Sequence, residues 1–210
     1  AYCLISRIQA YRRDWTAVQK PAEAAVALAT EHGFQLYASY AKVLELLART
    51  AQGHDEAREP LHKIIKMMLR TREYLSNIAF LVDVIDLYTR TGRTEQGLSM
   101  LAEANELFER NEQTYLRWEI CRLRGELLLQ QGTHNETAAE NCFRTALDGA
   151  RSQQVKSWEL RAATSLARLW RQKGKSAEGH TLLSEVYAGF TEGFDTADLK
   201  EAKELLDELS

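Results

Sequence analysis

A chain of 210 residues with 45% apolar and 27% charged side chains has the composition of a folded domain and excludes a disordered one. Two prolines and 11 glycines are too few to punctuate a many-stranded β fold, and three widely spaced cysteines (Cys3, Cys121, Cys142) form no disulfide framework. The formal charge of −3, with Lys and Arg interleaved among Asp and Glu, leaves no basic stripe to displace counterions from a nucleic acid or to seek an anionic membrane.

Taken in chain order, helical periodicity runs throughout. The chain opens inside an apparent helix, Ala1-Tyr-Cys-Leu-Ile-Ser-Arg-Ile, without an initiating Met, and is read as a fragment of a longer protein. The first pair of helices is expected at 1–13 and 15–31, with Trp15 opening the second after Asp14. The next pair is expected at 35–51 and 55–70. Pro21 and Pro60 fall inside these spans, where a missing N–H and a ring clash cost about 3 kcal/mol. Either the helices begin late, with each proline in the first turn, or they kink. A kink is expected at Pro21.

The third pair, 73–91 and 94–110, is the clearest. Ile78, Leu81, Val82, Ile85 and Tyr88 form one apolar stripe, and Leu98, Leu101, Ala102, Ala104 or Asn105, and Phe108 form the next. Between them, Thr91-Gly92-Arg93-Thr94 is a turn in which glycine takes positive φ and Thr94 caps the following helix. Further helices are expected at 114–131, 136–152, 156–173 and 176–190, with a closing helix at 196–208. Candidate turn glycines at Gly53, Gly92, Gly132 and Gly174 are 39, 40 and 42 residues apart. Two helices of about 16 residues and two short turns account for that period, which marks stacked two-helix units. The fold expected is all-α: a right-handed α-solenoid of about five antiparallel helix pairs (1–31, 35–70, 73–110, 114–152, 156–190) and a capping helix, forming one domain over 1–210.

The residues at fixed offsets resemble the tetratricopeptide repeat family. Tyr88, Gly92, Gly97, Leu101 and Ala104 reproduce its alternation of large and small side chains. The pairs that follow match through Gly125, Leu128, Gly132, Ala139, Phe143 and Ala146, and through Leu166, Ala167, Trp170, Gly174, Gly179, Leu183 and Val186. The pair around Gly53 departs from the pattern, with Arg49 and Arg58 where the family prefers an aromatic and a small residue. Cys121-Arg-Leu-Arg-Gly-Glu-Leu-Leu-Leu, Ala138-Ala-Glu-Asn-Cys-Phe-Arg-Thr-Ala-Leu and the stretches 156–170 and 187–200 are similar to the C-terminal repeat regions of large bacterial regulators. In those proteins the repeats follow a nucleotide cyclase or winged-helix domain and a P-loop ATPase. The resemblance implies a sensory or scaffolding role, and the chemistry of those other domains does not transfer to this chain.

Candidate chemistry yields to plainer readings. Gly174-Lys175-Ser176 is the end of a phosphate-binding loop in miniature, but Leu169 stands where that motif needs glycine and a helix precedes it where a strand is required. The five histidines have no metal-ligand spacing. Cys121 and Cys142 fall on apolar faces of facing helices, within reach of each other, and are read as small buried hydrophobes. Trp118, Trp158 and Trp170 are read as inter-repeat packing, so neither an enzyme nor a cofactor or metal site is expected.

Function is therefore expected in the groove. The resemblance places the first helix of each pair on the concave surface, which puts Asp86, Arg90, Glu119, Arg122, Glu126, Arg168 and Arg171 on or near its lining. Their alternating signs suit a helix or extended peptide of mixed charge. The expected role is a non-catalytic interaction and regulatory module of a bacterial signalling or transcription regulator. Its expected partner is a protein, a peptide or upstream domains of the same parent chain, with no direct nucleic-acid or membrane contact. The alternative is an effector-sensing domain that binds a small molecule in the groove. No signal peptide is visible, and the longest uncharged apolar runs are far below the ~20 residues of a membrane span. A cytoplasmic location is expected.

Overall fold

Helix-forming residues, periodic stripes and short turns give an all-helical chain. The structure, a computed structural model, describes residues 1–69, 74–111 and 116–210, with the backbone alone over 74–77 and 108–111. Among these residues there is no strand, and the α-helices in chain order are α1 (Tyr2–Tyr11), α2 (Trp15–Glu31), α3 (Gln35–Ala51), α4 (Arg58–Met68), α5 (Tyr74–Arg90) and α6 (Thr94–Asn111). They continue with α7 (Arg117–Gln130), α8 (Glu136–Ser152), α9 (Lys156–Gln172), α10 (Ser176–Tyr187) and α11 (Ala197–Leu209). No described helix is long and apolar enough to cross a membrane. The expected helix limits at 70, 73 and 114 lie outside the described residues, as does the side chain of Phe108.

The described helices refine these expectations in several places. The first helix stops at Tyr11 rather than 13, because Arg13 adopts φ 58° and ends it. A single 3-10 turn, Asp55–Ala57, precedes α4, so Pro60 falls in that helix's first turn, where no acceptor waits for its missing N–H. Helix α2 runs unbroken through Pro21, seventh of its residues, although the ring removes the bond to the Ala17 carbonyl. Burial of Val18, Ala22, Ala25 and Ala29 on one face offsets that loss. Thr94 is the first residue of α6 rather than its cap, and its hydroxyl donates instead to the Gln130 side chain at 2.8 Å. Helix α10 ends at Tyr187, three residues early, with Gly189 and Phe190 closing back by single-turn bonds.

The turns share one construction. Gly33, Gly53, Gly92 and Gly174 all have positive φ, as expected of the last three. After each of them, the next N–H reaches back to the carbonyl five residues earlier: Phe34 to Ala29, His54 to Arg49, Arg93 to Tyr88 and Lys175 to Trp170, at 2.8–3.0 Å. These bonds satisfy carbonyls that the helix end would otherwise leave bare. Arg13 and Gln154 make the same turn without glycine, through Asp14 to Gln9 and Val155 to Ala150. Arg13 stands 40 residues before Gly53, so the period of turns extends to the first pair. The turn at Gly132 is longer; a 3-10 turn, Thr133–Asn135, is inserted and the Asn135 amide donates to the Leu128 carbonyl at 3.1 Å.

Contacts divide the chain into two units, Ala1–Leu87 and Tyr88–Ser210, with the boundary inside α5. In the first unit α1 packs on α2, α2 on α3, α3 on α4, and α1 also on α3. Its buried residues include Val18, Ala41, Leu44, Leu47, Leu61 and Ile65. In the second unit each helix from α6 to α11 packs on the next, while α7 also meets α9 and α9 meets α11. Its core gathers Phe143, Leu160, Ala163, Leu166, Leu183, Val186, Leu199 and Leu205. Small residues permit the close approaches. A Cβ on Gly125 would stand 2.5 Å from the Phe143 ring, and one on Gly149 2.1 Å from that of Trp118. Ala104 and Ala146, expected at such contacts, are buried.

Candidate functional site

The second unit holds a buried ionic centre. Glu119, on the first turn of α7, is 1% exposed and accepts two bonds from Arg122 (3.0 and 2.7 Å) and one from Arg161 of α9 (3.2 Å). Arg161 also donates to Asp198 of α11 at 2.8 Å, and Arg122 lies 3.5 Å from Glu126. Glu126 accepts from the Ser165 hydroxyl at 2.5 Å. A buried carboxylate is tolerable only when its lone pairs are used, and here arginines of α7 and α9 use them. A second acid, Glu159, is buried 40 residues on and accepts from Arg151 and Lys156, both at 2.9 Å. Burial alone would raise its pKa, but the two cations hold it below the ordinary carboxylate value.

The seven groove residues expected from sequence are distributed as follows. Glu119, Arg122 and Glu126 belong to the ionic centre just described. Arg90 and Arg168 both reach Glu201 of α11, at 3.5 and 2.6 Å, and Arg171 pairs with Glu208. Asp86 lies in the first unit, buried, 3.3 Å from Arg13. Acids of α11 thus meet arginines of α9 and Arg90. Arg161, Asp198, Ser165 and Glu201 are additional members that sequence reasoning missed. The signal available was the dipeptide Trp-Glu, repeated at 118–119 and 158–159, which places an acid beside a packing aromatic in the same register.

Glu126 and Arg168 line one cavity of about 240 Å³, together with Gln130, Glu136, Ser165 and Gln172. Glu126 precedes Gly132 by six residues, and Arg168 precedes Gly174 by six. They are equivalent positions of consecutive helix pairs, carry opposite charge, and share a wall. The cavity offers two carboxylates, a guanidinium and two amides to a polar occupant. In the first unit, a cavity of about 360 Å³ between α1, α2 and α3 is apolar instead, lined by Tyr2, Leu4, Leu28, Phe34 and Tyr37 among others.

The remaining candidates take their places around these features. Gly174-Lys175-Ser176 forms the turn already described, with no strand before it. Among the described residues, no three His, Cys, Asp or Glu side chains converge as a metal site. Trp170 packs at the edge of the core, donates to Glu140 at 3.0 Å and lies under the Arg144 guanidinium at 5.0 Å. Cys121 and Cys142 do meet, across the α7–α8 hairpin. No family model and no curated protein matches the chain.

Proposed function

We propose that this chain is a non-catalytic interaction module of tetratricopeptide type, a right-handed α-solenoid of about five helix pairs and a capping helix, acting within a bacterial signalling or transcription regulator. The repeated main-chain turn and the packing of α7 on α9 and α9 on α11 support the stacked-pair reading. One observation carries the functional reading: Glu126 and Arg168, equivalent residues of consecutive pairs, open with opposite sign onto a single cavity. Such a wall recognises an extended or helical segment that alternates in charge, anchored by charge-assisted bonds to the guanidinium.

At this cavity the volume supports a docked segment over a small-molecule effector. Pockets for small-molecule ligands run to roughly 300–1,000 Å³, and about 240 Å³ suits one or two side chains of a docked segment. Selection of the purified chain against a random peptide display library tests the proposal. Enriched peptides should carry an acidic residue whose replacement weakens binding at least tenfold, and Arg168→Gln, folded by circular dichroism, should lose the same factor. Peptides that bind Arg168→Gln equally well would refute the assignment. A small polar solute that raises the melting temperature of the wild type alone, without peptide enrichment, would favour effector sensing.

A further inference from the structure

Two of the three cysteines share one contact in the second unit. Cys121 lies on α7 and Cys142 on α8, in the helix pair that also supplies Glu126, Gln130 and Glu136 to the polar cavity. The Cys121 thiol donates to the carbonyl oxygen of Cys142 at 3.3 Å, and both residues are half-buried rather than sealed in the core. The thiol of one cysteine thus touches the main chain of the other across the helix pair, which brings the two side chains together. We infer that Cys121 and Cys142 form a reversible dithiol–disulfide modification site, in which Cys142 is attacked first by a peroxide and Cys121 resolves it.

The assignment of roles follows from the surroundings. The neighbouring Cys121 thiol brings the Cys142 pKa down to about 7, with the charge of Arg124 helping and burial opposing. The same contact and burial push the Cys121 thiol up, so it keeps its proton. Thiolate is the reactive form, and a thiolate near neutrality is the expected first target. The Cys142 thiolate attacks one oxygen of hydrogen peroxide and the O–O bond breaks, leaving a sulfenic acid and hydroxide. The Cys121 sulfur then attacks the Cys142 sulfur, its proton leaves, and the S–OH bond breaks with loss of water. Overall two thiols give up two electrons and two protons, and the peroxide becomes two waters. A dithiol reductant reverses the bridge by exchange.

Cys3 is the internal control. It lies in the other unit, its thiol faces the Tyr37 carbonyl at 3.8 Å, and burial raises its pKa. The inference stands apart from the peptide-binding proposal, because the thiol chemistry can succeed or fail whatever occupies the cavity.

The test is thiol counting by intact mass after hydrogen peroxide, denaturation and alkylation of the whole chain. The wild type should carry one alkyl group, at Cys3, and be two hydrogens lighter than its fully thiol form. Its digest should contain a peptide linking Cys121 to Cys142, and dithiothreitol should restore three alkylated thiols. Cys121→Ser should accumulate a sulfenic acid at Cys142 that a dimedone probe traps, whereas Cys142→Ser should leave Cys121 reduced. If either serine variant fails to fold by circular dichroism, the alanine variant takes its place. Three alkylated thiols in the treated wild type, over-oxidation of Cys142 without a bridge, or labelling of Cys3 ahead of Cys142 would each overturn the inference.

Discussion

The two units are built from the same helical hairpin yet finish their surfaces differently. In Ala1–Leu87 the helices leave Leu4 (65% exposed), Phe34 (59%), Tyr37 (57%) and Tyr11 (51%) open to solvent; in Tyr88–Ser210 the one large apolar side chain so exposed among the described residues is Phe194. Buried ion pairs occur in both units, Asp86 with Arg13 in the first and Glu119 with Arg122 in the second. Glu119 is enclosed by arginines from two helices, whereas Glu45 of the first unit shares Lys42 (2.8 Å) and Arg49 (3.8 Å) with the solvent. At Glu119 the acid and Arg122 are buried and the Arg161 side chain is 14% exposed; at Glu45 the acid is buried while its cations reach solvent.

Glu119→Leu probes the closed end most severely. Arg122 and Arg161 would keep their charge and lose their shared carboxylate, costing about 3–5 kcal/mol in urea denaturation. Glu45→Leu, beside cations that are 41% and 34% exposed, should cost less than about 1 kcal/mol. Equal costs would erase the distinction between the units.

A smaller effect sharpens the contrast in packing. Gly149→Ala drives a methyl into the Trp118 ring and should cost about 1–3 kcal/mol, relieved when Trp118→Leu is combined with it in a double-mutant cycle. Gly33→Ala meets open space but must hold φ 72°, so its cost of about 1–2 kcal/mol is a backbone effect that Gly33→Asn should partly recover. An unrelieved Gly149→Ala would remove the close approach from the account.

The smallest effect is pH-dependent. Bonds from Lys173, then Trp170 and Arg144, hold the Glu140 carboxyl at about 2 against an ordinary 4.5. A depressed folded-state pKa contributes stability above the unfolded value and loses it as pH falls through the folded one. Discounted for solvent screening, the contribution is about 1 kcal/mol. Glu140→Gln should therefore be less stable at pH 7, and the gap should close between pH 4.5 and about 2. The exposed Lys63–Glu59 pair of the first unit should show no comparable gap.

Much of this was legible in the letters. Periodic apolar residues and turn glycines placed the described helices, because a helix buries one stripe and a reversal at its end needs positive φ. The meeting of Cys121 and Cys142 was also readable, since both fall on facing stripes of one hairpin. Arg13 and Gln154 were hidden as turn residues because each takes a conformation that its residue type rarely adopts. Pro21 lies within α2 because local propensity yields to burial of the residues around it. Arg161 and Asp198 are 37 residues apart and join only when α11 lies on α9, which no local pattern encodes. The lining of the polar cavity was half visible: Glu126 and Arg168 by register, Ser165 and Gln172 not, since small and amide side chains carry no periodic signature.

The reversals between helices have a consequence for how such a chain can change. At Arg13, Gly33, Gly53, Gly92, Gln154 and Gly174 the bend is secured by main-chain atoms, an amide of one residue and a carbonyl of another. Side chains flanking those corners are thereby released from holding the backbone and can drift over generations while the hairpin persists, whereas the corner residue itself stays restricted by its positive φ.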